Sequence, residues 1–332
     1  MRILLTGATG FLGRAVARRL VDAGHDVAAL VRETDADLAN IGVEQQEGDI
    51  TSLDAVVAAV TGCEAVVHCA AHVDAFARID EYYDVNVRGT DHVLAACEIA
   101  DVPKLVFTSC AGVVVDHADL NGVNETQRMP ERAPTAYLAS KALAERHVLA
   151  ANGPRFASVA LRPHLLWGPG DAVWLPRLAT LAKAGRLRLF GEPGKKIDHC
   201  YIDNAADAHV AALERLEPGN AIAGKAYFIT QGEPGSVEGF INGLLRAAGY
   251  PVETRRLSGT LARALATTAA ARRTLIGADP LLTPDALALL SQATWFNIAS
   301  ARRDLGYSPR IGTAEGLARL SAHLARERMR AR

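Results

Sequence analysis

The chain opens on an apolar run, Arg2–Thr6, that leads without a break into Gly7-Ala8-Thr9-Gly10-Phe11-Leu12-Gly13. Three glycines at three-residue spacing between a strand and a helix meet three demands at once. They permit a tight turn, they let backbone N–H groups approach a pyrophosphate, and they open a helix whose N-terminal dipole favours an anion. The spacing is G-x-x-G-x-x-G rather than the G-x-G-x-x-G of the usual fingerprint. A glycine triplet alone is a weak signal, since a Gly-rich turn needs no ligand. Placed directly after an apolar first strand, it predicts a dinucleotide cradle formed by Gly7, Thr9, Gly10, Phe11, Leu12 and Gly13.

The pattern that follows supports an α/β fold. Gly13–Ala23 reads as a helix that stops at Gly24, Asp26–Val31 as a second strand and Val43–Asp49 as a third. Asp54–Val60 is helical, Ala65–His68 is a fourth strand, and Asn86–Ala100 is a long helix. Lys104–Ser109, Tyr137–Ala151 and Ala157–Arg162 continue as strand, helix and strand. This alternation predicts a doubly wound parallel sheet with helices on both faces and right-handed crossovers. After Arg162 glycine and proline cluster in WGPGD and FGEPGKK, and strands become sparse. Tyr201–Ile202 and Lys225–Ile229 read as short strands returning to the sheet, and Val237–Ala248 and Thr283–Ala293 as helices. Residues 1–166, with returning strands near 199–229, are expected to bind the dinucleotide. Residues 167–198 and 230–332 are expected to form a smaller, interleaved substrate-binding lid.

Charge narrows the partners. With 36 Lys+Arg against 37 Asp+Glu, the net charge of −1 gives no electrostatic case for nucleic acid or an anionic membrane. Five cysteines (Cys63, Cys69, Cys97, Cys110, Cys200) with no C-x-x-C pair suggest neither a disulfide framework nor a zinc cage, and no metal spacing stands out. Reduced thiols in a cytoplasmic setting are the expectation. MRILLTGATG enters a strand at once and leaves no room for a signal peptide. No stretch reaches the roughly 18 apolar residues needed to span a bilayer. The nearest, Leu261–Gly277, carries Arg263, Arg272 and Arg273, and reads as a helix whose apolar face covers a core, a pocket or a partner rather than a membrane surface.

The second strand ends Leu30-Val31-Arg32-Glu33. NAD-binding chains usually carry an acid here for the adenosine ribose, whereas Arg32 can pair with a 2′-phosphate. NADP(H) is therefore expected, with NAD(H) kept open because a one-residue shift would bring Glu33 into place. After the third strand Asp49 is placed to meet the adenine amino group and Ile50 its face; a helix cap is the competing reading for Asp49.

Tyr137-Leu138-Ala139-Ser140-Lys141 opens a helix, so Tyr137 and Lys141 share a face at i and i+4. A phenol ordinarily titrates near 10, and bringing it to neutrality takes roughly 4 kcal/mol at about 1.36 per unit. A fixed lysine charge acts in that direction by favouring the phenolate. Y-x-x-x-K alone occurs by chance in many helices. Joined to the N-terminal glycine turn in one α/β chain, it is specific.

With these motifs, and with HCAAH, NVRGT, FTSCA and LRPHLLWGPGD, the chain resembles the extended short-chain dehydrogenase/reductases along nearly its whole length. The stretch through LPRLATLAKAGRLRLFG and CYIDNAADAH is similar to the 3β-hydroxysteroid dehydrogenase branch, and within it to bacterial 2-alkyl-3-oxoalkanoate reductases. The resemblance implies a Rossmann fold, hydride transfer at the nicotinamide, and a Tyr/Lys pair assisted by a Ser or Thr hydroxyl. It assigns Tyr137 as general acid and base, and Lys141 to the ribose hydroxyls. Ala70, Ala71 and His72 would line the nucleotide cleft, and Pro163, His164 and Leu165 would lie beside the nicotinamide. Asn86 and Thr90 would tie a helix to the sheet. Helix-mediated homodimers are common among such enzymes, and a homodimer is expected.

One position departs from that pattern. In Phe107-Thr108-Ser109-Cys110-Ala111 the family's hydroxyl aligns with Cys110, and a thiol is a weak donor. Either Ser109 supplies the hydroxyl or Tyr137 works largely alone. Residues along a regular strand alternate faces, so only one of the two would reach the site, and Cys110 is the preferred one. Ala111-Gly112 stands where related sugar-nucleotide dehydratases carry Asp-Glu, which argues against dehydration.

In the lid, Trp167, Trp174, Leu175, Leu178, Leu181, Leu187, Leu189 and Phe190 suit a greasy substrate, although core packing explains most of them. Arg177, Lys183, Arg186 and Arg188 could pair with a carboxylate or phosphate, or simply face solvent. The expected function is an NADP(H)-dependent oxidoreductase that interconverts a ketone and a secondary alcohol on a hydrophobic small molecule, a 2-alkyl-3-oxo acid or a 3-keto/3β-hydroxysteroid. Nucleotide-sugar epimerisation and a non-catalytic dinucleotide sensor are the alternatives. Retention of the Tyr/Lys pair argues against the sensor, and Arg32 modestly against the epimerase.

Overall fold

A computed structural model describes residues 1–74, 77–116, 118–172, 174–190, 193–257 and 289–330. The first half runs β1 (Arg2–Thr6), α1 (Phe11–Asp22), β2 (Asp26–Val31), α2 (Ala36–Asn40), β3 (Glu44–Glu47), α3 (Leu53–Val60), β4 (Ala65–His68), α4 (Ile79–Tyr82), α5 (Gly89–Ile99), β5 (Lys104–Thr108), β6 (Leu120–Val123), α6 (Ala136–Ala150) and β7 (Ala157–Pro163). The second half continues with β8 (Leu166–Trp167), α7 (Trp174–Lys183), β9 (Leu189–Phe190), β10 (Lys196–Ile197), β11 (Cys200–Tyr201), α8 (Ile202–Arg215), β12 (Lys225–Ile229), β13 (Gly235–Ser236), α9 (Val237–Ala247), β14 (Arg256–Leu257), β15 (Thr294–Phe296), α10 (Ala299–Leu305) and α11 (Thr313–Arg330).

Seven strands form one parallel sheet in the order β12-β7-β5-β4-β1-β2-β3, which is the doubly wound Rossmann arrangement. The order reverses between β1 and β4, so the crevice opens at the carboxyl ends of these two strands, where Thr6 pairs with His68. Strands covered on both faces read as unbroken apolar runs, as β1 does. Ile3 and Leu5 join one core, with α1 and α8, while Leu4 joins the other, with α3 and α5. A third core, built around Trp167, Leu175, Leu178, Leu187 and Leu189, lies in the second half. Most of the apolar lid residues are therefore core residues, as the bland reading of them holds.

Several boundaries differ from the sequence reading, each for a local reason. The third strand is only Glu44–Glu47, because it is the sheet's edge and pairs with β2 alone. Tyr201–Ile202 does not return to the main sheet: Cys200 and Tyr201 pair with Leu166 and Trp167 in a separate two-stranded ladder, and Ile202 begins α8. Lys225–Ile229 does return, pairing with β7. The helix expected from Asn86 starts earlier, as a π-helical turn Tyr83–Arg88 that runs into α5. The expected helix Leu261–Gly277 lies outside the described residues, as does most of Thr283–Ala293. Among the described residues no helix is long and apolar enough to cross a membrane.

Candidate active site

The glycine turn is explained atom by atom. Gly7 has φ +72°, and a Cβ there would stand 2.5 Å from the Ala70 backbone nitrogen. A Cβ on Gly13 would stand 2.0 Å from the Gly7 carbonyl oxygen, so the start of α1 can lie against the turn only without a side chain. Gly10 N–H donates to the Gly7 carbonyl at 3.0 Å, and Gly10 is the N-cap of α1. No side chain caps this helix and no acid stands in its first turn, which leaves its positive end suited to a phosphate. Phe11 and Leu12 join the three glycines in lining the adjoining cavity; Thr9 does not, and its carbonyl accepts from Arg14 Nε at 3.0 Å.

Arg32 is exposed just past β2. The acid nearest in sequence that the structure engages is Asp35, the N-cap of α2. It accepts from Asp37 and Leu38 N–H and from both terminal nitrogens of Arg14. The Arg14 guanidinium holds the Asp35 carboxyl below the usual carboxylate range. Asp49 is not the cap of α3, which is Ser52; its Oδ1 closes a local turn with Thr51 N–H and hydroxyl, both at 2.8 Å. Ile50 is buried against Gly89, where a Cβ would come within 2.7 Å of it.

A hydrogen-bonded chain ties β1 to the helix of Tyr137. Thr90 gives its hydroxyl proton to the Asn86 carbonyl (2.7 Å), so it accepts from His68 Nε2, and His68 Nδ1 accepts from the Thr6 hydroxyl at 2.6 Å. Burial lowers the His68 pKa to about 3, in keeping with this neutral tautomer. Asn86 then holds His72 through N–H (2.7 Å) and carbonyl (3.2 Å), and donates to the Ser140 hydroxyl at 2.9 Å. Ser140 in turn donates to the Tyr137 carbonyl. Asn86 sits in the π-helical turn, an irregularity often found at functional sites. Ala71 lines the cavity, while Ala70 N–H is held by the Thr6 hydroxyl.

Tyr137 stands at the start of α6, half-buried, with its ring 6.1 Å from that of buried Tyr82. Lys141, one turn on, is buried; its Nζ donates to the Thr108 carbonyl at 2.7 Å and lies 4.3 Å from the Phe107 ring centroid. Burial pulls the Lys141 pKa down to about 8, against the opposing pull of Cys110, Cys69 and Glu145. β5 ends at Thr108, so the strict alternation expected of Ser109 and Cys110 does not apply, and both line the cavity. Ser109, however, donates its hydroxyl to Glu145 Oε2 at 2.5 Å. Pro163, His164 and Leu165 line the opposite wall, Leu165 with φ +40°, a strained backbone for a leucine. His164 is buried beside Thr294, its pKa lowered to about 3. The cavity that these residues share has a volume of about 310 Å³ and mostly apolar walls. Among the described residues no three His, Cys, Asp or Glu side chains group to hold a metal ion.

The model of the 3-beta hydroxysteroid dehydrogenase/isomerase family matches residues 4–258. The chain belongs to this family. A 2-alkyl-3-oxoalkanoate reductase of Stenotrophomonas maltophilia is 43% identical over 331 residues, covering 98% of this chain and all of that protein. A 3 beta-hydroxysteroid dehydrogenase/Delta 5-->4-isomerase of Mycobacterium tuberculosis is 34% identical, over 95% and 88% of the two chains. The UDP-glucose 4-epimerase of Thermus thermophilus, solved with NAD, shares the fold with a TM-score of 0.75 at 23% identity, covering 98% and 99%. As a 3-beta hydroxysteroid dehydrogenase family member, the chain is an NAD(P)-dependent oxidoreductase.

One feature of this family member escaped the sequence reading. Glu145, two turns past Tyr137 on the same helix face, is buried and pairs with Arg162 of β7, whose Nε lies 3.1 and 3.0 Å and Nη2 2.5 Å from its oxygens. The signal was present: Arg162 is the one charge in the strand ASVALRP.

Proposed function

We propose that the chain is an NADP(H)-dependent oxidoreductase that interconverts a ketone and a secondary alcohol on a hydrophobic substrate of the 2-alkyl-3-oxo acid or 3-keto/3β-hydroxysteroid type. The observation that carries this reading is the placement of Tyr137, above buried Lys141, in an apolar cavity continuous with the glycine turn. The turn, which tolerates no Cβ at Gly7 or Gly13, and the uncapped start of α1 fit a dinucleotide pyrophosphate. When bound, the nicotinamide supplies or takes the hydride.

The chain's own residues manage the proton and the orientation. Tyr137 gives its hydroxyl proton to the carbonyl oxygen in reduction and removes it from the alcohol in oxidation. Lys141 holds the ribose hydroxyls, and its charge favours the phenolate. Pro163 and Leu165 flank the nicotinamide, Ala70, Ala71 and His72 border the nucleotide cleft, and Asp49 and Ile50 meet the adenine. Residues 1–166 form the cofactor region, and 167–198 with 230–332 the substrate region. Cys110 takes the position of the usual hydroxyl, since Ser109 is engaged by Glu145. A thiol polarises a carbonyl weakly, so Cys110→Ser should keep or raise kcat. A complete loss of activity in that variant would remove Cys110 from this position.

Arg32 reads the 2′-phosphate, supported by its exposed position past β2 and by the engagement of Asp35 with Arg14. The deciding assay follows NADPH and, separately, NADH with a 2-alkyl-3-oxo acid, a 3-ketosteroid and a UDP-hexose. Turnover of an apolar ketone with NADPH preferred is expected, and Arg32→Asp should raise the NADPH KM by about tenfold or more. An unchanged NADPH KM would refute the role of Arg32, and epimerised sugar without ketone turnover would refute the reductase reading.

A further inference from the structure

Buried His68 and His209 each pair both ring nitrogens. His68 meets the hydroxyls of Thr6 and Thr90, and His209 meets the Thr108 hydroxyl and the Ala205 carbonyl. His164 differs. It is 2% exposed and lines the cavity, with Nε2 3.2 Å from the Thr294 hydroxyl and its ring edge-on to Phe296 at 5.2 Å. Its Nδ1 has no hydrogen-bond partner among the described residues, and it is not sealed in the interior as the unpartnered nitrogens of His25 and His72 are.

The surrounding bonds fix what Nδ1 can offer. Thr294 gives its hydroxyl proton to the Leu289 carbonyl at 2.9 Å, so toward His164 it can only accept, and Nε2 carries the ring proton. Burial lowers the His164 pKa to about 3, so at neutral pH the ring holds no second proton and Nδ1 is an acceptor. In a largely apolar wall an acceptor without a donor is costly, and it favours a ligand that brings an N–H or O–H. Sheet order selects the ligand. The glycine turn follows β1, with β2 and β3 to one side of it and β4, β5 and β7 to the other. A dinucleotide with its pyrophosphate on the turn and its adenosine toward Arg32 runs its nicotinamide half past the end of β5, where Lys141 meets the Thr108 carbonyl, to the end of β7. His164 is the first residue past β7. The nicotinamide ring has a single donor group, the amino group of its carboxamide.

We propose that His164 Nδ1 accepts a hydrogen bond from the carboxamide of the bound nicotinamide and so fixes the rotation of that ring against the cavity wall. This rests on the dinucleotide reading above and names the cofactor group that the wall recognises. The test is calorimetric binding without turnover, using NADP⁺ and its 3-acetylpyridine analogue, in which a methyl group replaces the carboxamide amino group. His164→Gln keeps a donor for Thr294 but places no acceptor where Nδ1 stood, whereas His164→Asn puts its amide oxygen there. His164→Gln should raise the Kd for NADP⁺ by about three- to tenfold and leave that for the analogue within about twofold, and His164→Asn should restore part of the loss. Equal losses with the two dinucleotides, or no loss with NADP⁺, would overturn the proposal. A raised KM for the alcohol with NADP⁺ binding unchanged would overturn it too, by giving Nδ1 to the substrate. The wild-type protein should itself prefer NADP⁺ over the analogue by at least about threefold, so equal affinities would overturn the proposal even if neither variant folds. Wild-type protein that binds neither NADP⁺ nor NAD⁺ would overturn the dinucleotide reading, and the role of His164 with it.

Discussion

Tyr137→Phe is expected to lower kcat/KM by about 10²–10⁴-fold in either direction while NADPH binding stays within about twofold of wild type. The substitution removes one hydroxyl and keeps the ring beside Tyr82. A second signature comes from Lys141. Its charged form is penalised by burial and is lost as pH rises through about 8. Below that value the ammonium is present and favours the phenolate; above it the electrostatic help is gone. The kcat/KM of the free enzyme should therefore fall on the alkaline side with a midpoint near 8. Retention of more than about a tenth of the activity in Tyr137→Phe would exclude the phenol as the proton donor. A profile still rising well above that midpoint would separate Lys141 from the reaction.

What the sequence makes legible here is local. The glycine turn, the Tyr137/Lys141 pair and the limits of β1, β2 and β4 depend on residues a few positions apart, where strand and helix periodicities act directly. The reading fails where distant segments decide the outcome. Cys200–Tyr201 is too short to carry a pattern, and its pairing with Leu166–Trp167 follows from where β7 ends. The π-helical turn at Tyr83–Arg88 has no periodic signature, yet it places Asn86 between His72 and Ser140. The choice between Ser109 and Cys110 could not be made from strand alternation, because β5 stops at Thr108. A partner thirty-six residues away, Glu145, engages the Ser109 hydroxyl instead.

That partner leads to the second large effect. Glu145 is fully buried and Arg162 is 5% exposed, so each charge depends on the other for its solvation. The guanidinium also lies over the Phe228 ring, at 5.3 Å, while its Nη1 has no hydrogen-bond partner among the described residues. Removing one member of such a pair strands the other. Glu145→Ala should therefore lower the unfolding free energy by about 3–5 kcal/mol in denaturant titration. Replacing both residues with apolar ones of similar volume, Glu145→Leu with Arg162→Met, should recover most of that loss, since the desolvation cost disappears with the charges. A loss in Glu145→Ala below about 1 kcal/mol would mean that the pair is not solvating itself. Stability alone does not separate this pair from the chemistry, but Lys141 does. Glu145 acts to raise the Lys141 pKa, so in Glu145→Gln the alkaline limb should move below about 8 even in the folded fraction. A limb that stays in place while stability falls would confine the pair to holding α6 against the sheet. A shifted limb would mean that a buried carboxylate two turns from Tyr137 helps to set the pH range over which the enzyme works.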